Sequence, residues 1–198
     1  MKRYVICRVD GAFDWENIPF LQVDSWQWQE KMDISMQAQI CNDGENLFIR
    51  MLARESDIRA EHFSPLSMVC EDSCMEFFFR PMEDDLRYFN FEINPNAAMF
   101  IGFGSGKEDL VRLMPEASLF MPQAQLTEVG WEARYRIPAK FIRTFFPNFE
   151  LSSGKISPAN CYKCGHKTVR PHYICWNEVN SSIPSFHRPE DFGQMEIE

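Results

Sequence analysis

The sequence predicts an all-β protein: an antiparallel two-sheet β-sandwich, jelly-roll-like, with one or two short helices. Three observations carry that prediction. Several segments alternate apolar and polar residues with the period of a half-buried strand. Aromatic residues make up 14% of the chain, 18 of them Phe, which favours strands. Helical periodicity is rare, and turn residues separate the apolar runs. With 198 residues, 45% hydrophobic and 25% charged, the chain fits one domain over 1–198 with a substantial core.

The elements follow in order. Met1–Asp10 reads as a strand. Ile34, Met36, Ala38 and Ile40 alternate with polar neighbours, turn through 42–46 and return through 47–52 as a hairpin. Residues 57–63 suit one or two helical turns. The segments 73–80 and 87–94 flank a polar turn and form a second hairpin. Trp131, Ala133, Tyr135 and Ile137 alternate along a strand that Gly130 turns back on residues 117–128. Pro138 opens a short helix with Phe141, Ile142 and Phe145 on one face. Pro147, Pro158, Pro171, Pro184 and Pro189 divide the last third into loops and short strands.

Charge and composition exclude some functions. A net charge of −9 repels phosphate backbones, so nucleic acid is not an expected partner. No apolar run approaches the ~20 residues of a membrane helix, so no membrane partner is expected. The apolar run within the first ten residues is too short and interrupted to read as a signal peptide. If Met1 is the native start the expected location is cytoplasmic; otherwise the protein is secreted. Seven cysteines, an odd number without a dense framework, read as free thiols.

Register in the middle hairpin follows from burial, since a one-residue slip exchanges the faces. Placing Glu76 opposite Asn90 gathers Met75, Phe77, Phe79, Phe89, Phe91 and Ile93 on an apolar side. The other side collects Glu76, Phe78, Arg80, Tyr88, Asn90 and Glu92. Carboxylates, an amide and rings suit a sugar, whose C–H faces stack while its hydroxyls bond. The same pattern also describes a solvated sheet face with cross-strand pairs.

The last third holds a second cluster, with Lys163, His166, His172, Trp176 and His187. Cys161, Cys164, His166 and Cys175 raise a structural zinc. One Cys-x-x-Cys pair is a weak signal, and on a strand Cys161 and Cys164 face opposite ways, so zinc is disfavoured there.

Taken together, Asp72–Phe78, Tyr88–Glu92, Asn94–Pro95 and Asn42–Ile49 resemble the middle of the family 9-like carbohydrate-binding modules. Asn160-x-Tyr162-Lys163-Cys164-Gly165, His172-Tyr173-x-x-Trp176 and Phe186-His187-x-Pro189-x-x-Phe192-Gly193 are similar to its bacterial, often stand-alone branch. The likeness spans about residues 15–197, within a DOMON-like sandwich superfamily. It implies noncatalytic binding of mono- or oligosaccharides in support of carbohydrate catabolism, and often bound calcium. Better-known members grip sugar between two Trp rings with a Glu and an Arg. The Glu falls on Glu76. The first Trp falls near Cys70, the Arg near Phe89 or Asn90, and the paired acidic residues on Asp72 and Ser73.

The candidate ligand-binding set is therefore Glu76, Tyr88, Asn90, Glu92, Lys163, His172, Trp176 and His187, with no catalytic residue and an unassigned metal. A glycoside hydrolase using Glu76 and Glu92 is the alternative, because diagonal neighbours stand ~7–8 Å apart, close to the spacing of inverting enzymes. A protein-interaction or haem-binding sandwich is a third reading, given 11 Met and four His.

Overall fold

In the computed structural model, which describes residues 1–198, the chain is built almost entirely of strands. They are β1 (Arg3–Arg8), β2 (Leu21–Val23), β3 (Ser25–Trp26), β4 (Ser35–Asn42), β5 (Asn46–Arg54), β6 (Cys74–Phe79) and β7 (Tyr88–Ile93). Then come β8 (Met99–Gly104), β9 (Val111–Leu113), β10 (Gln123–Thr127), β11 (Gly130–Pro138), β12 (Ile156–Cys164), β13 (Tyr173–Cys175) and β14 (Gly193–Ile197). Two short helices, α1 (Ala117–Phe120) and α2 (Ala139–Arg143), complete the chain.

One sheet carries β14, β12, β6, β7, β8 and β9 in that order, and the other β10, β11, β5 and β4. β1 seams them. Its first half runs parallel to β14 through Arg3–Ile6, and its end runs parallel to β4 through Cys7 and Arg8. The sandwich is therefore mixed rather than purely antiparallel. The N-terminal strand lies between two strands distant in sequence, so no hairpin constrains its direction.

The expected alternation places the core. Met36, Ala38 and Ile40 of β4, with Trp131, Ala133, Tyr135 and Ile137 of β11, face Met75, Phe77, Phe79, Phe89, Phe91 and Ile93 within one cluster of 36 buried residues. Glu132, Arg134 and Arg50 stand on the reverse of β11 and β5 and pair with one another. The hairpin 35–54 is as expected. The partner of β11 is shorter than expected, because 117–120 is helical and pairing begins at Gln123.

Two local expectations change. Residues 57–63 are irregular rather than helical, because their backbone has better partners. Asp72 Oδ2 accepts from the Glu61 and His62 amides at 3.0 and 2.9 Å. The proline-rich last third also contains a long strand. β12 runs nine residues and is paired on both sides, with Pro158 inside it accepting from the Arg80 amide at 2.8 Å.

Candidate functional site

The parity of the middle hairpin is as the sequence implies, but its register is shifted by two residues. Glu76 lies opposite Glu92, and Phe78 opposite Asn90. Every residue of β6 and β7 is buried, so the polar side is covered rather than solvated. The cover comes from Tyr173 at the start of β13 and from loops that bring Cys70, Trp28, Leu110, Phe186 and His187 over the sheet.

Beneath this cover lies a pocket of about 320 Å³ with Glu76 and Glu92 among its lining residues. Trp28, Tyr173, Phe186 and Phe100 provide aromatic walls, and Lys107, Arg112 and His166 also line it. The rings hold one another in place: Trp28 lies 5.7 Å from Tyr173 at 79° and 5.7 Å from Phe186. The Trp28 indole donates to the Ser181 carbonyl at 2.7 Å.

Burial raises the Glu76 carboxyl to about 7, opposed by the Cys164 thiol and the charge of Lys163. Burial, reinforced by the charge of Glu76, raises Glu92 well above the usual carboxylate range. The pair therefore retains protons near neutral pH. It offers hydroxyl donors as well as carboxylate acceptors. Asn90 Nδ2 donates to Glu92 Oε1 at 2.7 Å, holding that carboxyl in place. Asn90 stands where it does because Gly102 lies opposite. A Cβ at Gly102 would fall 2.0 Å from Asn90 Oδ1. Gly102→Ala is expected to cost about 1–3 kcal/mol in urea unfolding by overpacking. A melt unchanged from wild type would show that Asn90 moves freely.

The expected ligand-binding residues divide. Glu76, Glu92 and His187 line the pocket. Tyr88 and Asn90 stand behind it. Tyr88 stacks on Phe78, and its hydroxyl meets His187 Nδ1 at 2.7 Å. Burial, with Lys107 adding to it, lowers the His187 imidazole to about 4, so it is neutral at pH 7. Trp176 belongs to the main core, packed against Gly193, and offers no open face.

Lys163 and His172 lie outside the pocket. Lys163 shares the inward face of β12 with Cys161, and its Nζ reaches Glu55 at 3.0 Å and His172 Nε2 at 2.8 Å. His172 Nδ1 donates to the Arg170 carbonyl at 2.9 Å, so both ring nitrogens are occupied. The walls Trp28, Tyr173 and Phe186 are not among the ligand-binding residues the sequence singles out. Tyr173 and Phe186 are inside the motifs quoted for the resemblance. Trp28, in a left-handed turn (φ 61°), follows no strand period.

The register also removes the diagonal spacing on which a glycosidase pairing of Glu76 with Glu92 rested, because the two stand face to face. The four residues considered for zinc do not converge. Cys161 enters the main core, Cys164 turns outward, and Cys175 lies across from Tyr162. Calcium takes about 6–8 oxygen ligands. Asp72 is buried, and its Oδ2 accepts from the amides of Glu61 and His62 and from Asn94 Nδ2 at 2.8 Å, while Arg59 stands 3.4 Å from its Oδ1.

A two-sheet sandwich with an aromatic-walled, carboxyl-floored pocket is a small-molecule-binding architecture. Residues 8–197 match the model of carbohydrate-binding family 9, and the chain belongs to that family. It is similar over 100% of its length, and 99% of the other's, to a protein from Bacteroides uniformis ATCC 8492 proposed to bind carbohydrate, at 27% identity and a TM-score of 0.87. A family 9 module from Caldicellulosiruptor kristjanssonii in complex with glucose shares the fold at 12% identity and a TM-score of 0.72, covering 100% of this chain and 96% of that one. The module from the same organism in complex with cellotriose is similar at 12% identity and TM-score 0.71, covering 98% and 93%. No curated protein matches the chain.

Proposed function

We propose that this chain binds a mono- or oligosaccharide noncatalytically, with the sugar entering the pocket above β6 and β7. The observation that carries the reading is the meeting of an aromatic wall (Trp28, Tyr173, Phe186) with the opposed Glu76–Glu92 pair. The rings would cover the sugar's C–H faces. The partly protonated carboxyls would donate to and accept from adjacent hydroxyls. The volume falls in the ~300–1,000 Å³ range of small-molecule sites. Family membership, and the glucose and cellotriose held by two modules of the same fold, support the ligand class.

A thermal-shift screen over neutral mono- and oligosaccharides, glucose and cellotriose included, tests this. A sugar at 100 times its Kd adds about 2.7 kcal/mol. At about 2–4 °C per kcal/mol for a chain of this size, the expected rise is roughly 5–10 °C. The rise should disappear in Trp28→Ala and in Glu76→Gln. A rise that persists in both variants would place the site elsewhere; no rise with any sugar would overturn the reading.

A further inference from the structure

Cys74 and Cys164 lie opposite one another across β6 and β12. Both turn away from the main core, toward the side that carries Glu76. The three residues bring one ligand atom each within 4.8 Å of one another, and Cys164 Sγ stands 2.8 Å from Glu76 Oε1. Glu76 lines the pocket, as does Cys70, so the cluster adjoins the pocket through Glu76.

Sugar recognition gives these thiols no task. A buried cysteine alone is commonly a small apolar filler. Two thiols converging on one carboxyl differ in kind. Two sulfurs and one oxygen are the donors of a three-ligand zinc centre, which keeps its fourth position open. They do not suit calcium, which takes oxygen ligands.

We propose that Cys74, Cys164 and Glu76 bind one zinc-like divalent cation, with its fourth coordination position left to a non-protein ligand. An ordinary thiol, with a pKa of about 8.5, is mostly protonated near neutral pH. A coordinated thiol is deprotonated. The cation therefore replaces the two S–H protons, and the Glu76 proton when one is present, releasing two or three protons to solvent. No atom changes oxidation state. Affinity falls with falling pH.

The test uses the whole chain, kept reduced, stripped with chelator and free of sugar, titrated with Co²⁺ and then Zn²⁺. One Co²⁺ per chain should bind with thiolate-to-cobalt charge-transfer absorption, and Zn²⁺ should displace it. The signal should be lost in Cys74→Ser/Cys164→Ser and kept in Cys161→Ser and Cys175→Ser. A wild-type chain without that absorption, or a signal that survives the double substitution, would overturn the proposal. If the double variant does not fold, proton release from the wild type decides. Two or more protons per cation at pH 8 support thiol ligation, and fewer than one refutes it. Because sugar is absent throughout, failure here leaves the carbohydrate reading standing.

Discussion

Glu55→Ala is expected to lower folding stability by about 3–5 kcal/mol, the usual effect of stripping one partner from a buried ion pair. Lys163 is fully buried between the sheets, and its Nζ lies 3.0 Å from Glu55 Oε1. Glu55 also accepts from the Trp131 indole at 2.6 Å and the Ser73 hydroxyl at 2.8 Å. The network therefore ties β5 and β11 of one sheet to β12 and the start of β6 in the other. Burial alone would raise the Glu55 carboxyl; Lys163 and these donors hold it below its usual value. Alanine removes the counter-charge but leaves the Lys163 amine buried. At about 2–4 °C per kcal/mol, the melting point should fall by roughly 10 °C. Lys163→Met removes the charge while keeping the bulk, and should cost less than the alanine variant. A Glu55→Ala melt within 1 kcal/mol of wild type, in urea and heat alike, would mean that water reaches Lys163.

This network also marks where sequence reasoning stopped. Lys163 stands beside Cys164 and near two histidines, so it reads as part of a polar binding loop. In the structure β12 is buried on both faces. Such a strand shows no polar alternation, and nothing local says which of its residues points inward. The middle hairpin was more legible. The rule that burial forbids a one-residue slip sorted its twelve positions onto two sides correctly. That rule cannot distinguish registers two residues apart, because both give the same faces. Hence Glu76 proved to face Glu92 and not Asn90. The covering loops were illegible for another reason: Trp28, Cys70 and Phe186 reach the pocket from segments far apart in sequence. Their meeting is a property of the closed sandwich. The parallel pairing of β1 belongs to the same class, since it joins the two ends of the chain.

The Glu76–Glu92 pair makes the second large prediction, a stability that declines as pH rises toward and above neutrality. Glu76 titrates at about 7 in the folded chain against an ordinary 4.5, and burial beside Glu76 raises Glu92 well above its ordinary value as well. A carboxyl raised by folding favours the folded state fully below its unfolded pKa. That preference is lost as pH climbs through the folded value, because the unfolded chain releases its proton first. For Glu76 the loss reaches about 3 kcal/mol by pH 8. The buried histidines slope the other way. His172 and His187 are each lowered to about 4 by burial, so they favour the folded state above about 6.5 and lose that preference as pH falls toward 4. Between about 4.5 and 6.5 the two sets oppose one another; from there to about pH 8 the carboxyls dominate, and above it the buried thiols, also raised by burial, add to the same slope. Glu76→Gln/Glu92→Gln should therefore stabilise the metal-free chain by at least about 3 kcal/mol at pH 8 and change little at pH 4. Urea melts at the two pH values measure this directly. A gain of equal size at both would show that relieved packing, and not ionisation, is responsible. No gain at pH 8 would mean that the pair is solvated. The same double variant should lose sugar affinity while gaining stability, which is the expected signature of a binding site kept at the expense of the fold.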